Sequence, residues 1–311
     1  MKINFKIAED LENISKEFFL QNSFKVTPEK SYFHQHCLLQ HKLIYPKPRK
    51  VIFSKKFCVP LELEKGLENL VKKLRLGEDV NYYLSKGSLD LTREDGLLND
   101  FGIYHFHLGS NYEDNFIKRT KEVAFVYINN TTAFFIEAPA HGNSTDVDKL
   151  LWFRTRYIKI IHDEQPHLIE NYKINGIPSI DIDDMARKKL RKANVNTPIQ
   201  VDDKTSYMSM GQGFVTSGSS TRAIMLANKI NNEIVLYALA IKKYIEENSP
   251  SNIKSDDQEI ILRLISFNGT PGSLDTEFEL WKDDKAIYKI AYLYKDESSR
   301  TLIISEIKKG I

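Results

Sequence analysis

Ile103-Tyr104-His105-Phe106-His107-Leu108, Val123-Ala124-Phe125-Val126-Tyr127-Ile128 and Thr132-Ala133-Phe134-Phe135-Ile136-Glu137-Ala138 follow one another closely in the chain. The first alternates, with Tyr104, Phe106 and Leu108 on one side and His105 and His107 on the other, as a strand with one apolar face does. The other two are apolar or β-branched nearly throughout, as strands covered on both faces are. Asn129 and Asn130 between them predict a tight turn, because Asn tolerates positive φ. Pro139 and Gly142 are expected to end the third strand. Asp146 is placed as the cap of a helix running to Ile161, with Leu150, Leu151, Ile158 and Ile161 apolar, and Pro166 breaks it.

Upstream, Leu63, Leu67, Leu70 and Leu74 recur at helical spacing and predict a helix over 61–76, stopped by Gly77. Downstream, Ile230, Ile234, Tyr237, Ile241 and Ile245 make one stripe of a helix over 221–247. Four strands are predicted at 259–267, 276–281, 286–294 and 300–307, joined by short turns as in an antiparallel meander. The fold class is therefore α+β, with antiparallel sheets and packed helices. A chain of 311 residues suits two domains. The punctuation divides it into an N-terminal helical and basic segment (1–60), an α+β core (61–170), a connector (171–206) and a C-terminal α+β domain (207–311).

Apolar residues make up 41%, and 44 basic side chains against 42 acidic leave a formal charge of +2. That balance excludes a disordered acidic or basic tail protein and leaves room for a segregated basic face. Lys2, Lys6, Glu9, Asp10, Glu12 and Lys16 interrupt the first twenty residues, so no secretory leader is expected. The longest apolar run, 234–241, is too short to span a bilayer, and no membrane association is expected. Cys37 and Cys58 are the only cysteines, which suits a reducing cytoplasm.

Two imidazoles on one strand face bring titratable groups able to accept or donate a proton near neutral pH. Arg119 precedes the second strand and His141 follows the third, so adjacency of the strands would gather all four residues. Such a set suits metal-free phosphodiester cleavage. One imidazole takes the ribose 2′-OH proton, another protonates the leaving 5′ oxygen, and the guanidinium holds the phosphate. A solvent-facing structural pair is the plainer reading, and a zinc site would need a third ligand.

The order of a helix, a loop, Phe101-Gly102-Ile103-Tyr104-His105-Phe106-His107-Leu108-Gly109, Arg119, Val123–Tyr127 and Ala133–Ile136 resembles the core of RelE-type toxins, in the barnase–EndoU–colicin–RelE group of ribonucleases. The resemblance covers about 61–165. It implies helices packed on a small antiparallel sheet and RNA cleavage without metal, with His105 or His107 as base or acid and Arg119 on the phosphate. The chain is far longer than a lone toxin of that type, its 109–118 connection is long, and no basic tail follows the sheet.

Residues 41–60 hold Lys42, Lys47, Arg49, Lys50, Lys55 and Lys56, no acid, and the rings of Tyr45, Phe53 and Phe57. Cations with interleaved rings suit single-stranded nucleic acid, and equally a lysine-protected edge strand. A second run, 187–192, adds Arg187, Lys188 and Arg191 as candidate RNA contacts, although acids ahead of it and cations in it also suit a plain helix. Between 100 and 167 seven basic residues face nine acidic ones, so RNA affinity would come from segments outside the histidine sheet. His34, His36, Cys37 and His41 form a second cluster; His34, Cys37 and His41 share one helix face, but the spacing matches no zinc motif. Gly211–Ser220 precedes a helix without phosphate-loop spacing and is read as a turn with a Ser or Thr cap. Asp183 and Asp184, like Asp256 and Asp257, read as caps.

The leading expectation is a cytoplasmic, metal-independent endoribonuclease, a toxin or phage-defence effector needing no cofactor, with RNA and an antitoxin or defence-complex protein as partners. The alternatives are a non-enzymatic nucleic-acid- or protein-binding factor and a metal-dependent hydrolase.

Overall fold

The structure is a computed structural model that describes residues 2–141, 150–176, 182–248, 259–296 and 299–306. The fold is α+β. Its helices are α1 (Ile7–Asn22), α2 (Tyr32–Lys42), α3 (Glu64–Leu76), α4 (Gly96–Phe101), α5 (Arg156–Glu164), α6 (Asp184–Lys192) and α7 (Thr221–Asn248). Contacts divide the chain into two compact units, one of residues 1–37 with 224–311 and the other of residues 38–223 inserted between them.

The first unit is built on strand β1 (Lys2–Phe5) and the meander, whose strands run 259–268, 275–282, 285–296 and 299–306. Each meander strand lies within two residues of its expected bounds. The β1 strand adds to the sheet edge in parallel, with Lys2 opposite Glu259. Ile230, Ile234, Ile241 and Ile245 of α7 pack with Leu262, Phe278, Leu280 and Ile290 of the sheet, as the helical stripe requires. By length and mean hydropathy (1.2 over eighteen residues) α7 is long and apolar enough to cross a membrane; its buried stripe reads as that of a core helix.

The second unit carries a four-stranded sheet. Strand β2 (Lys50–Phe53) runs parallel to Thr132–Glu137, which pairs antiparallel with Val123–Ile128, and that strand pairs antiparallel with β3 (Ile103–His107). Leu63, Leu70, Val71 and Leu74 of the expected helix pack on one face with Phe106, Leu108, Ala124, Val126 and Phe135. Gly77 ends α3 at φ 75°, the left-handed conformation that favours glycine. Gly66 brings α3 so close to the end of β3 that an added Cβ would lie 1.9 Å from the Leu108 carbonyl oxygen.

The second face is not open, as the alternation of Tyr104, Phe106 and Leu108 had implied. Ile103 shares the parity of His105 and His107, and it is buried with Val123, Phe125, Phe134 and Ile136 beneath Tyr157, Ile158 and Ile161 of α5. A sheet covered on both sides explains why its middle strands are apolar throughout. The turn at Asn129 also differs from expectation. No residue of it has positive φ; the Asn129 Oδ1 instead accepts from the Thr131 and Thr132 amides at 3.0 and 2.8 Å. Of the helix expected from Asp146 to Ile161, residues 146–149 and Gly142 lie outside the described residues; Leu150 is helical, a single turn follows at 151–153, and α5 then runs from Arg156. Segment 171–206 supplies Ile199 and Val201 to the same core, so it helps to cover the sheet.

Candidate functional site

The strand register gathers the histidines. His107 sits opposite Val123, and Glu122 bridges to Ala140, so the end of β3, the start of the next strand and the segment after Glu137 meet at one edge. The His141 amide donates to the Lys121 carbonyl at 2.8 Å. As a result the rings of His107 and His141 lie 5.6 Å apart, centre to centre, and Trp152 stands 6.0 Å from His141 and 5.1 Å from His105. Arg119, exposed in the connection before the second strand, completes the expected quartet; its charge acts on both His105 and His107.

The three imidazoles differ in environment. His107 is 1% exposed, and its Nδ1 accepts the Thr120 amide at 3.1 Å. The neutral ring therefore carries its proton on Nε2, which is buried without a hydrogen-bond partner. Burial, helped by the neighbouring His105, His141 and Arg119, pulls its pKa down to about 3. His105 is also held below the ordinary histidine value, first by burial and then by His141 and Arg119, while Asp95 opposes them. Asp95 Oδ2 lies 3.8 Å from His105 Nδ1. The other Asp95 oxygen caps α4, accepting from Leu97 and Leu98 at 3.1 and 3.0 Å. His105 Nδ1 and His141 Nδ1 are buried and lack hydrogen-bond partners. Three unsatisfied ring nitrogens at one sheet edge are costly unless something else engages them.

His105 opens onto a cleft of about 360 Å³ lined also by Lys42, Ser88, Glu94, Asp95 and Trp152. Lys42 is buried, donating to the carbonyls of Asp90 and Arg93 at 3.0 and 2.7 Å; burial lowers its pKa, against the attraction of Asp95, Glu94 and Asp90. Sequence reading missed Asp95, Thr120 and Trp152, and placed Lys42 only among the cations of the basic run. Asp95 stood just ahead of Leu97, Leu98 and Phe101 at helical spacing, which is a helix-cap signal; the other three are set by tertiary packing.

The expected nucleic-acid contacts separate into two groups. Lys47, Lys50, Lys55 and Lys56 are exposed, and Lys188 is half-buried with its ammonium 5.9 Å from the Phe153 ring. Arg49, Arg187 and Arg191 are instead inside the protein. Arg49 donates to the carbonyls of Tyr45, Lys47 and Asn129. Arg187 and Arg191 converge on the buried Asp100 carboxylate, and Arg191 lies 4.5 Å over the Phe153 ring. Arg187 and Arg191 tie α6 to α4 and Arg49 ties 45–47 to the turn at Asn129, so none of the three is presented to RNA. Among them the Asp183 cap is as expected, accepting from Ala186.

The α2 cluster disperses: His34 is exposed, His36 stacks on Phe18, Cys37 is fully buried, and His41 bonds Asn99 at 3.1 Å. Among the described residues no three His, Cys, Asp or Glu side chains are disposed to hold a metal ion. In the glycine loop, the Gly211 and Gly213 amides donate to the Asp100 and Asn99 carbonyls, and Ser220 caps α7. Cys37 and Cys58 are free thiols. Comparison with protein-family models, with curated proteins and with solved structures finds no match to this chain.

Proposed function

We propose that this protein is a metal-independent endoribonuclease whose active site is the edge bearing His105, His107, His141 and Arg119. The supporting observation is the convergence of these residues, drawn from three separate segments, with three ring nitrogens left unpartnered. The ribose 2′ oxygen attacks phosphorus, forming a 2′,3′-cyclic phosphate, and the bond to the 5′ oxygen breaks. His105 is kept neutral by burial, with the Asp95 carboxylate 3.8 Å from its Nδ1, so it accepts the 2′-OH proton. His141 returns a proton to the leaving oxygen, and Arg119 holds the phosphate charge. His107, engaged by Thr120, sets the position of His141 against it. The resemblance to RelE-type cores supports the same chemistry, and a toxin or defence role with a restraining protein partner follows from it.

RNA cleavage in EDTA tests this reading. The wild type is expected to cut, with His105→Ala and His141→Ala losing about 10²–10⁴-fold in rate. Undiminished cleavage by both variants, or none by the wild type, rejects it. In that event the exposed lysines leave the non-enzymatic binding factor as the reading to pursue.

A further inference from the structure

The α7 helix has a second side that its own unit leaves bare. Ile230, Ile234, Tyr237, Ile241 and Ile245 pack into the core of the first unit. On the opposite side Lys229, Asn232, Leu236, Leu239, Lys243 and Glu246 are all exposed, Leu236 by 64% and Leu239 by 46%. Steps of three and four residues alternate along this line, which is the spacing at which two α-helices pack side by side. Two neighbouring leucines left in water at the middle of such a line form a contact surface, unlike apolar residues scattered singly. Among the described residues Lys229 enters no ion pair, and Glu246 meets Lys242 only at the surface, at 3.9 Å.

The charges along the line select both the occupant and its direction. Lay a second α7 antiparallel on the first, with the two-fold axis between Leu236 and Leu239. The leucines of each copy then meet those of the other. Asn232 stands opposite the partner's Lys243, and Lys229 stands opposite the partner's Glu246. The pairing is isologous, so each of these contacts occurs twice. A parallel pair would instead set Lys229, Lys243 and Glu246 each against its own copy, like charge on like. From Lys229 to Glu246 the line runs about 26 Å at 1.5 Å per residue. We infer that this face of α7 binds a second copy of the chain as an antiparallel helix pair. The inference uses the first unit alone and stands whether or not the histidine edge cuts RNA.

One helix from each copy makes an interface of the small, transient class, below about 1,200 Å². Sedimentation velocity of the full chain from about 1 to 300 µM is therefore expected to show a reversible rise from the mass of one chain toward that of two. Leu236→Lys, at an exposed position, is expected to weaken the dimer about tenfold or more. Lys229→Glu and Glu246→Lys each set like charges face to face and are expected to weaken it about tenfold. The two together exchange the signs and are expected to return it to within about threefold of the wild type, a recovery that a merely unfolded or aggregated variant cannot give. A monomer at every concentration overturns the inference. So does a dimer indifferent to Leu236→Lys, or a charge-exchanged double variant no better than its parents. Co-sedimentation with phosphatidylcholine–phosphatidylglycerol vesicles by a chain that stays monomeric without them assigns the face to lipid and overturns the inference as well.

Discussion

His107 and His41 are both neutral because the protein buries them. Burial takes His107 to about 3, and it takes His41, with help from the charge of Arg222, to about 4. An unfolded chain would protonate both near pH 6.5. Their folded values lie below the unfolded one, so the native state is unpenalised above pH 6.5 and loses stability as pH falls below it. Each contributes a loss of about 2 kcal/mol between pH 7 and pH 5. Urea unfolding at the two pH values is expected to show this drop, and His107→Asn to shrink it by about 2 kcal/mol. An unchanged drop in the variant would mean that His107 is not kept neutral by the fold. The same residue shows what sequence reading reached at the site and what it did not. Alternation correctly put His105 and His107 on one face. It left that face open because Ile103, the third residue of the same parity, lay at the strand's start and was not weighed. Asp95, Lys42 and Trp152 come to His105 from other segments, and no local periodicity carries that information.

Elements were legible where their own pattern was strong. The meander strands alternate and are separated by turn chemistry. Asp283 and Asp284, at φ 48° and 58°, close a two-residue hairpin between Lys282 and Lys285. The α3 helix ended at Gly77 as its spacing required. Less legible was α6, whose cations read as RNA contacts or as part of a plain helix, whereas two of them reach inward to Asp100. Removing that carboxylate would leave two guanidiniums buried without their partner. Asp100→Ala is expected to cost about 3–5 kcal/mol in urea unfolding, whereas Lys47→Ala, at the surface, stays within about 0.5 kcal/mol. Comparable effects in the two variants would contradict the buried arrangement.

Across the molecule, the charge of +2 conceals a sorting of cations by depth. Of the residues in the basic run, Arg49 is spent on three carbonyls and Lys42 on two, while Lys47, Lys50, Lys55 and Lys56 face solvent. RNA affinity carried by these lysines depends on displaced counterions. Replacing all four by Gln is expected to flatten the plot of log affinity against log salt by about 3, at roughly 0.7 per single-strand phosphate. An unaltered slope would place the RNA path elsewhere. What no sequence pattern announced is the pairing of β1 with a strand more than two hundred and fifty positions later, Lys2 with Glu259. Synthesis on the ribosome gives that pairing a consequence in time. Residues 38–223 can leave the exit tunnel and close their own core while β1 still lacks its neighbour. The forty-five residues from 224 to the end of that strand at 268 take roughly 2–9 s to make at about 5–20 residues per second. The part of the chain that carries the histidine edge is thus finished before β1 can be seated.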